Sequence, residues 1–216
     1  MPTAAGRPVA GRCSGAQGRL ETAGSALADA RRRTAARLAE TALTHLRELG
    51  FVRPLLEIRL ESAAPTAGGT DTATVVFASD DRLEAGPVSK VASGGELSRL
   101  VLALRLAGGA GEAGSVVFDE IDAGVGGQTA IAVGAKLAAL AETRQVLCVT
   151  HLPQVAAHAD AHWVVDRSGE EATVRRVEGD ARIAELTRML AGLPDSESGR
   201  EAAKELLVRA GQGGIQ

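Results

Sequence analysis

The sequence predicts an α/β fold, a mostly parallel sheet flanked by helices, with a helical stub at its N-terminus. Three observations carry this. Short apolar runs alternate with helical stretches over residues 115–166, the rhythm of parallel strands joined by crossover helices. Leu38, Ala42, Leu46 and Leu49 recur at three- and four-residue steps, and Gly50 follows as a helix stop. With 216 residues and 45% hydrophobic content, the chain has enough apolar material to bury a core. Aromatics make up only 2% and Tyr is absent, so that core must be aliphatic.

Residues 1–18 are rich in Gly, Ala, Pro and Arg without an apolar period, and read as a disordered or non-native tail. Residues 19–50 read as one helix. Its Leu20 and Leu27 are a heptad apart, a pattern short enough to fit either a coiled coil or a helix packed on a core. Residues 51–212 read as a single lobe. In it, residues 55–61 and 72–78 are strand-like and are separated by Pro65 to Gly69, which predicts an antiparallel pair. A helix opens after Ser93 and ends at Gly108-Gly109. Then follow strand 115–119, helix 127–141, strand 145–149, helix 152–159 and strand 161–166, with 172–178 adding a hairpin strand. Helices 180–191 and 196–210, parted by Pro194, complete the lobe.

Composition excludes several classes. No apolar run reaches the roughly 18 residues of a membrane span, and the N-terminus lacks the apolar segment of a signal peptide. Cys13 and Cys148 make no disulfide framework, so a cytoplasmic protein is expected. The net charge of −3 carries no global nucleic-acid signal. Residues 1–59 nevertheless hold ten Arg against five acids, Arg31-Arg32-Arg33 among them. That bias suits phosphate neutralisation and a solvated helix face equally.

The chemistry-bearing residues fall in three segments. In Ser93-Gly94-Gly95-Glu96, the Ser and Glu have the spacing of a capping box. The two glycines would expose amides at the positive end of a helix, a ready site for an anionic phosphate. Next, Val116-Val117-Phe118 runs into Asp119-Glu120, placing two carboxylates beyond the end of a buried strand. Asp119 suits a Mg²⁺ ion held through water, and Glu120 suits orienting or deprotonating an attacking water. Alone, the pair would read as a strand-ending turn. Asp122 follows in the loop Asp122-Ala123-Gly124-Val125-Gly126-Gly127, which lacks the alternating oxygens and terminal Glu of an EF-hand. Third, His151 ends the next apolar run, where it can reach a phosphate or a water, or simply be a satisfied polar residue.

No His/Cys set has zinc spacing, and no Gly-x-Ser-x-Gly elbow is present. A phosphate-cradling Gly-x-x-x-x-Gly-Lys-Ser/Thr loop is also absent from these residues. The only lysines are Lys90, Lys136 and Lys204, none of which follows a Gly.

Taken in order, Val-Ser-Lys-Val-Ala-Ser-Gly-Gly-Glu-Leu-Ser-Arg at 88–99, Val-Phe-Asp-Glu-Ile-Asp-Ala-Gly-Val-Gly-Gly at 117–127 and Gln-Val-Leu-Cys-Val-Thr-His-Leu-Pro-Gln-Val-Ala-Ala at 145–157 resemble the RecN family of bacterial DNA repair proteins. These are ABC ATPases similar to SMC proteins. His-Leu-Pro-Gln-Val-Ala at 151–156 is the piece that separates this family from SMC, RecF and transporter cassettes. The resemblance covers about residues 25–210 and implies the C-terminal lobe of an ABC/SMC-type P-loop ATPase head. Residues 19–50 would end the returning coiled-coil arm. Ser93, Gly94, Gly95 and Glu96 would form the signature motif, contacting ATP held by another protomer. Asp119 would serve Mg²⁺, Glu120 the water and His151 the γ-phosphate, while Asp122 would lie in a loop crossing the dimer interface. The implied cofactors are ATP and Mg²⁺. The implied partners are a second copy or the N-terminal half of the head, and double-stranded DNA or its ends, with a nucleoid-associated cytoplasmic location. Two alternatives stand beside this: a non-catalytic fragment that docks onto an intact head, and another SMC- or RecF-like ATPase.

Overall fold

A computed structural model of the protein describes residues 9–109, 114–168, 171–194 and 196–212. Its first element is a long helix, α1 (Val9–Glu48). The expected tail therefore shortens: residues 9–18 are helical, and 1–8 lie outside the described residues. The physical reason is propagation. A helix nucleated by packing downstream propagates one hydrogen bond per added residue; Gly11, Gly15 and Gly18 weaken that extension, but none breaks it as a Pro would. The packing stripe on α1 comprises Gly24, Ala28, Ala39, Ala42, Leu46 and, just past its end, Leu49, all buried. Small residues dominate its upper half because a hairpin lies close against it.

That hairpin is β1 (Leu55–Thr66) paired antiparallel with β2 (Gly69–Ala78), in register Leu55 to Ala78 through Ser62 to Asp71. β2 also pairs antiparallel with the short β3 (Gly86–Pro87), giving the order β1-β2-β3. The hairpin tip is pinned to α1 by Arg31, which pairs with Asp71 and donates to the Gly68 carbonyl at 2.7 Å. A Cβ on Gly24 would meet Thr70 Oγ1 at 3.1 Å, so the two elements approach too closely for a side chain there.

A single turn, α2 (Val88–Val91), leads to α3 (Gly94–Ala107). Then come β4 (Val116–Phe118), α4 (Gly127–Ala141), β5 (Val146–Cys148) and the single turn α5 (Pro153–Ala156). β4 and β5 pair in parallel, Val116 against Val146 and Phe118 against Cys148. β6 (His162–Ser168) and β7 (Glu171–Val177) form an antiparallel hairpin, followed by α6 (Gly179–Ala191) and α7 (Glu197–Gln212). The main core joins α1, β1, β2, α3, β4 and α4 through Leu46, Leu49, Phe77, Leu100, Leu102, Ile121 and Val133. A smaller cluster, Ala156, Leu186 and Ala203, seats α6 and α7.

The fold class holds, but the strand directions depart from a mostly parallel sheet. Among the described residues, β4–β5 is the parallel pair between named strands, and the other two sheets are antiparallel. β6 pairs with β7 rather than continuing beside β5. Apolar rhythm identifies strands; it does not choose their neighbours, which are set by backbone hydrogen bonds between segments far apart in sequence.

Candidate functional site

α3 begins as its sequence predicts. Ser93 is the N-cap, its Oγ accepting from the Glu96 amide, while the Ser93 amide donates to Glu96 Oε2 at 3.0 Å. Both arms of the capping box are made, satisfying amides that would otherwise be orphaned. Burial pushes the Glu96 carboxyl upward. The hydrogen bonds from the Ser93 amide, the Ser79 side chain and the Ser93 hydroxyl, with the Arg99 charge, outweigh that and hold it below its ordinary value.

Behind this helix start lies the acidic loop that leaves β4. Ser98 Oγ donates to the Asp119 carbonyl at 2.8 Å, and Arg99 Nη1 donates to the carbonyls of Ile121 (3.2 Å) and Ala123 (2.9 Å). The loop is therefore laced to one side of α3. Gly95 is buried in that contact: a Cβ there would stand 2.9 Å from Ala123 Cβ and 3.0 Å from the backbone oxygens of Ala123 and Glu120. Gly94 is exposed, and a Cβ on it would overlap the Glu120 carboxylate. The glycine pair thus allows the loop to sit on the helix start, bringing Ser93, Gly94, Gly95, Glu96, Asp119 and Glu120 together.

Glu120 has φ of +56°, the one positive φ outside glycine among the described residues. A left-handed Glu costs about 1–2 kcal/mol, and such strain concentrates where a side chain must be aimed. Asp119 Oδ1 accepts from the Glu120 amide at 2.9 Å, which fixes the sharp turn between the carboxylates. Both side chains stay exposed at the end of the strand.

Asp122 turns the other way. Its residue is only 3% exposed; Oδ2 accepts from Thr150 Oγ1 (2.5 Å) and the His151 amide (3.0 Å), and His151 Nδ1 lies 3.1 Å from it, an ion pair when the ring is protonated. The Asp122 side chain is engaged within its own chain. A buried carboxylate needs donors, and the residues just past β5 supply two. The His151 ring sits with Nδ1 beside the Asp122 carboxylate, and its side chain is 74% exposed. Thr150 Oγ1 in turn accepts from the Leu152 amide at 3.0 Å.

Cys148 lines the same region. Burial, with the nearby Asp122 and Asp119 charges, pushes its thiol up to about 12, so it behaves as a packing residue. A groove of about 640 Å³ between α1 and β1 touches none of these residues.

Sequence reasoning missed Ser98, Arg99 and Thr150, which hold the constellation in place. Arg99 had a signal: it shares a four-residue stripe with Gly95 and Ala103, and all three are buried. Among the described residues no three of His, Cys, Asp and Glu gather to hold a metal. A hard cation here would find the adjacent exposed carboxylates of Asp119 and Glu120, a donor set that fits Mg²⁺ carried with waters and phosphates rather than a caged metal.

No protein-family model matches the chain. The DNA repair protein RecN of Deinococcus radiodurans is 47% identical over 190 residues, 86% of this chain and 33% of that protein. RecN of Mycobacterium leprae is 52% identical over 147 residues, 67% of this chain and 25% of that protein. RecN of Streptomyces coelicolor is 40% identical over 203 residues, 86% of this chain and 36% of that protein. The chain therefore spans about a quarter to a third of these relatives' length. Among solved structures, the Smc head domain with a coiled coil and joint from Pyrococcus yayanosii matches 72% of this chain and 29% of its own, at 18% identity and a TM-score of 0.51. The Pyrococcus furiosus Smc head domain with an extended coiled coil, bound to the C-terminal domain of ScpA, matches 76% of this chain and 39% of its own, at 17% identity and a TM-score of 0.52. At these identities the likeness is one of fold.

Proposed function

From a chain that is RecN-like in sequence and SMC-head-like in fold, we propose that it forms the C-terminal lobe of an ATPase head acting in recombinational repair of DNA double-strand breaks. The observation that carries this is the convergence on one edge of an exposed helix start, two strand-end carboxylates and an exposed, carboxylate-oriented His. In this reading Ser93, Gly94 and Gly95 present α3 to the γ-phosphate of ATP bound by a second polypeptide, with Glu96 locking the cap. Asp119 holds Mg²⁺ through water. Glu120 takes the proton of the attacking water, and its strained backbone aims the carboxylate across the start of α3. His151, oriented by Asp122, contacts the γ-phosphate. ATP with Mg²⁺ supplies the phosphoryl group and its charge neutralisation; the chain's own residues orient, polarise and receive the proton. α1 is the base of a coiled-coil arm, and DNA or its ends is the substrate on which the whole assembly works.

A second polypeptide is favoured by the open sheet. Parallel strands are normally covered on both faces, yet Val117 (65%) on β4, Leu147 (48%) on β5 and Val149 (62%) just past it are exposed. A complementing head half carrying the phosphate loop would cover this face. The test is to supply that half from a related head and measure ATP hydrolysis. Turnover should require both polypeptides and vanish with Glu120→Gln while ATP-dependent association persists. Turnover that survives Glu120→Gln sinks the role given to that residue. Association without any turnover would favour the docking-fragment reading.

A further inference from the structure

The geometry points to Arg99 as a positioning residue that sets the acidic loop according to where the end of α1 sits. Arg99 is 7% exposed. Among the described residues its charge is met by carbonyls and a ring, with the Glu96 carboxylate acting at longer range and no direct salt bridge. Nη1 bonds the carbonyls of Ile121 and Ala123, which flank Asp122, the residue that orients His151. One guanidinium nitrogen thus fixes the backbone on both sides of that carboxylate. The guanidinium carbon lies 5.2 Å from the centroid of the Phe51 ring, a cation–π contact in a desolvated setting. Phe51 stands edge-on to Phe77 at 5.6 Å, and its amide donates to the Leu46 carbonyl at 3.1 Å, in the last turn of α1. The helix end, the ring, the guanidinium and the loop form one continuous chain of contacts.

The same helix end is clamped onto α4, the helix that follows the loop. Lys136 pairs with Glu48 at 2.5 Å, and a Cβ on Gly50 would stand 2.7 Å from Thr129 Cγ2. A shift of α1 is therefore felt at both ends of residues 119–126. Lysine cannot replace the arginine, because its ammonium lacks the planar face that stacks on an aromatic ring while donating sideways. That this loop carries an ATPase site rests on the function proposed above; the mechanical link does not.

The test is amide hydrogen exchange on the full chain without nucleotide. The readouts are the amides of Ala123 and Val125, which bond inside the loop to Glu120 and Asp122 carbonyls. Arg99→Lys and Phe51→Leu should each speed their exchange on the order of tenfold, the scale of one lost hydrogen-bond or cation–π contact. Phe51→Trp, which keeps the π face, should restore near wild-type protection. Amides of α6 and α7 should be unmoved. Unchanged exchange in Arg99→Lys overturns the positioning role. Phe51→Leu exchanging like wild type, or Phe51→Trp exchanging like Phe51→Leu, overturns the link to α1. Should Arg99→Lys fail to fold, the two Phe51 variants still decide. Since no nucleotide is present, failure of the ATPase reading leaves these outcomes standing.

Discussion

Gly94 and Gly95 adjoin in one motif, yet alanine at each is expected to act in opposite directions. Both lie in the first turn of α3 without a positive φ. Helix propensity alone therefore favours Ala over Gly, by up to about 1 kcal/mol. At Gly95 the added Cβ meets Ala123 Cβ at 2.9 Å and the Ala123 and Glu120 carbonyl oxygens at 3.0 Å. Arg99 holds the Ala123 carbonyl, and the Glu120 carbonyl accepts from the Ala123 amide, so the loop must move as a unit. Such overpacking costs about 1–3 kcal/mol. After the propensity gain, Gly95→Ala should lose about 1–2 kcal/mol, roughly 2–8 °C in Tm for a domain of this size. At Gly94 the obstacle is the far end of the Glu120 side chain, which can swing aside. Gly94→Ala should stay within about 0.5 kcal/mol of wild type, while displacing the carboxylate and cutting turnover in a complemented head. Thermal and urea unfolding followed by circular dichroism measure both. Gly95→Ala melting at or above wild type, or Gly94→Ala losing as much as its neighbour, would refute the packing argument.

Other expectations follow from the same geometry. Asp122→Ala strands the Thr150 hydroxyl and the His151 amide and should cost about 3–6 kcal/mol by urea titration, since bonds to a charged acceptor are worth about 1.5–3 kcal/mol each. In a Cys13→Ser background, Cys148 should resist a thiol reagent at pH 8.5 and react once the chain unfolds, because its thiol is raised from 9.0 to about 12. A raised folded-state pKa favours the native state below pH 9, and that contribution is lost as pH climbs from 9 toward 12. Glu96 has the opposite sign. Its pKa is lowered from 4.5, so its contribution is present above that pH and lost below it; Glu96→Gln should flatten the acid limb of the stability profile. Leu147→Asp, on the exposed face of β5, should block association with a complementing head half while changing the melting of this chain by less than about 1 kcal/mol.

Much of the fold was legible because it is local. The stripe on α1, the capping box at Ser93 and Glu96, and the glycine stop at Gly108 each depend on residues within a few positions of one another. The carboxylates at the end of β4 and the His at the end of β5 were equally legible, since an apolar run followed by a polar residue marks a strand end. The start of α1 was not legible, because cooperative propagation carries a helix past the point where its apolar pattern stops. Nor was the separation of β6 from β5, which depends on pairing across the whole lobe.

The sequence by itself thus determined which elements form, which residues could do chemistry, and the kinship with RecN proteins. The tertiary structure decided what those residues face. It turned Asp122 inward onto Thr150 and His151, twisted Glu120 into a left-handed conformation over Gly94, and buried Arg99 between a ring and two carbonyls. The division has a physical basis. Caps, periods and strand ends are set by short-range sterics and hydrogen bonds, whereas the partner of a buried charge is set by whichever distant segments the core brings to it.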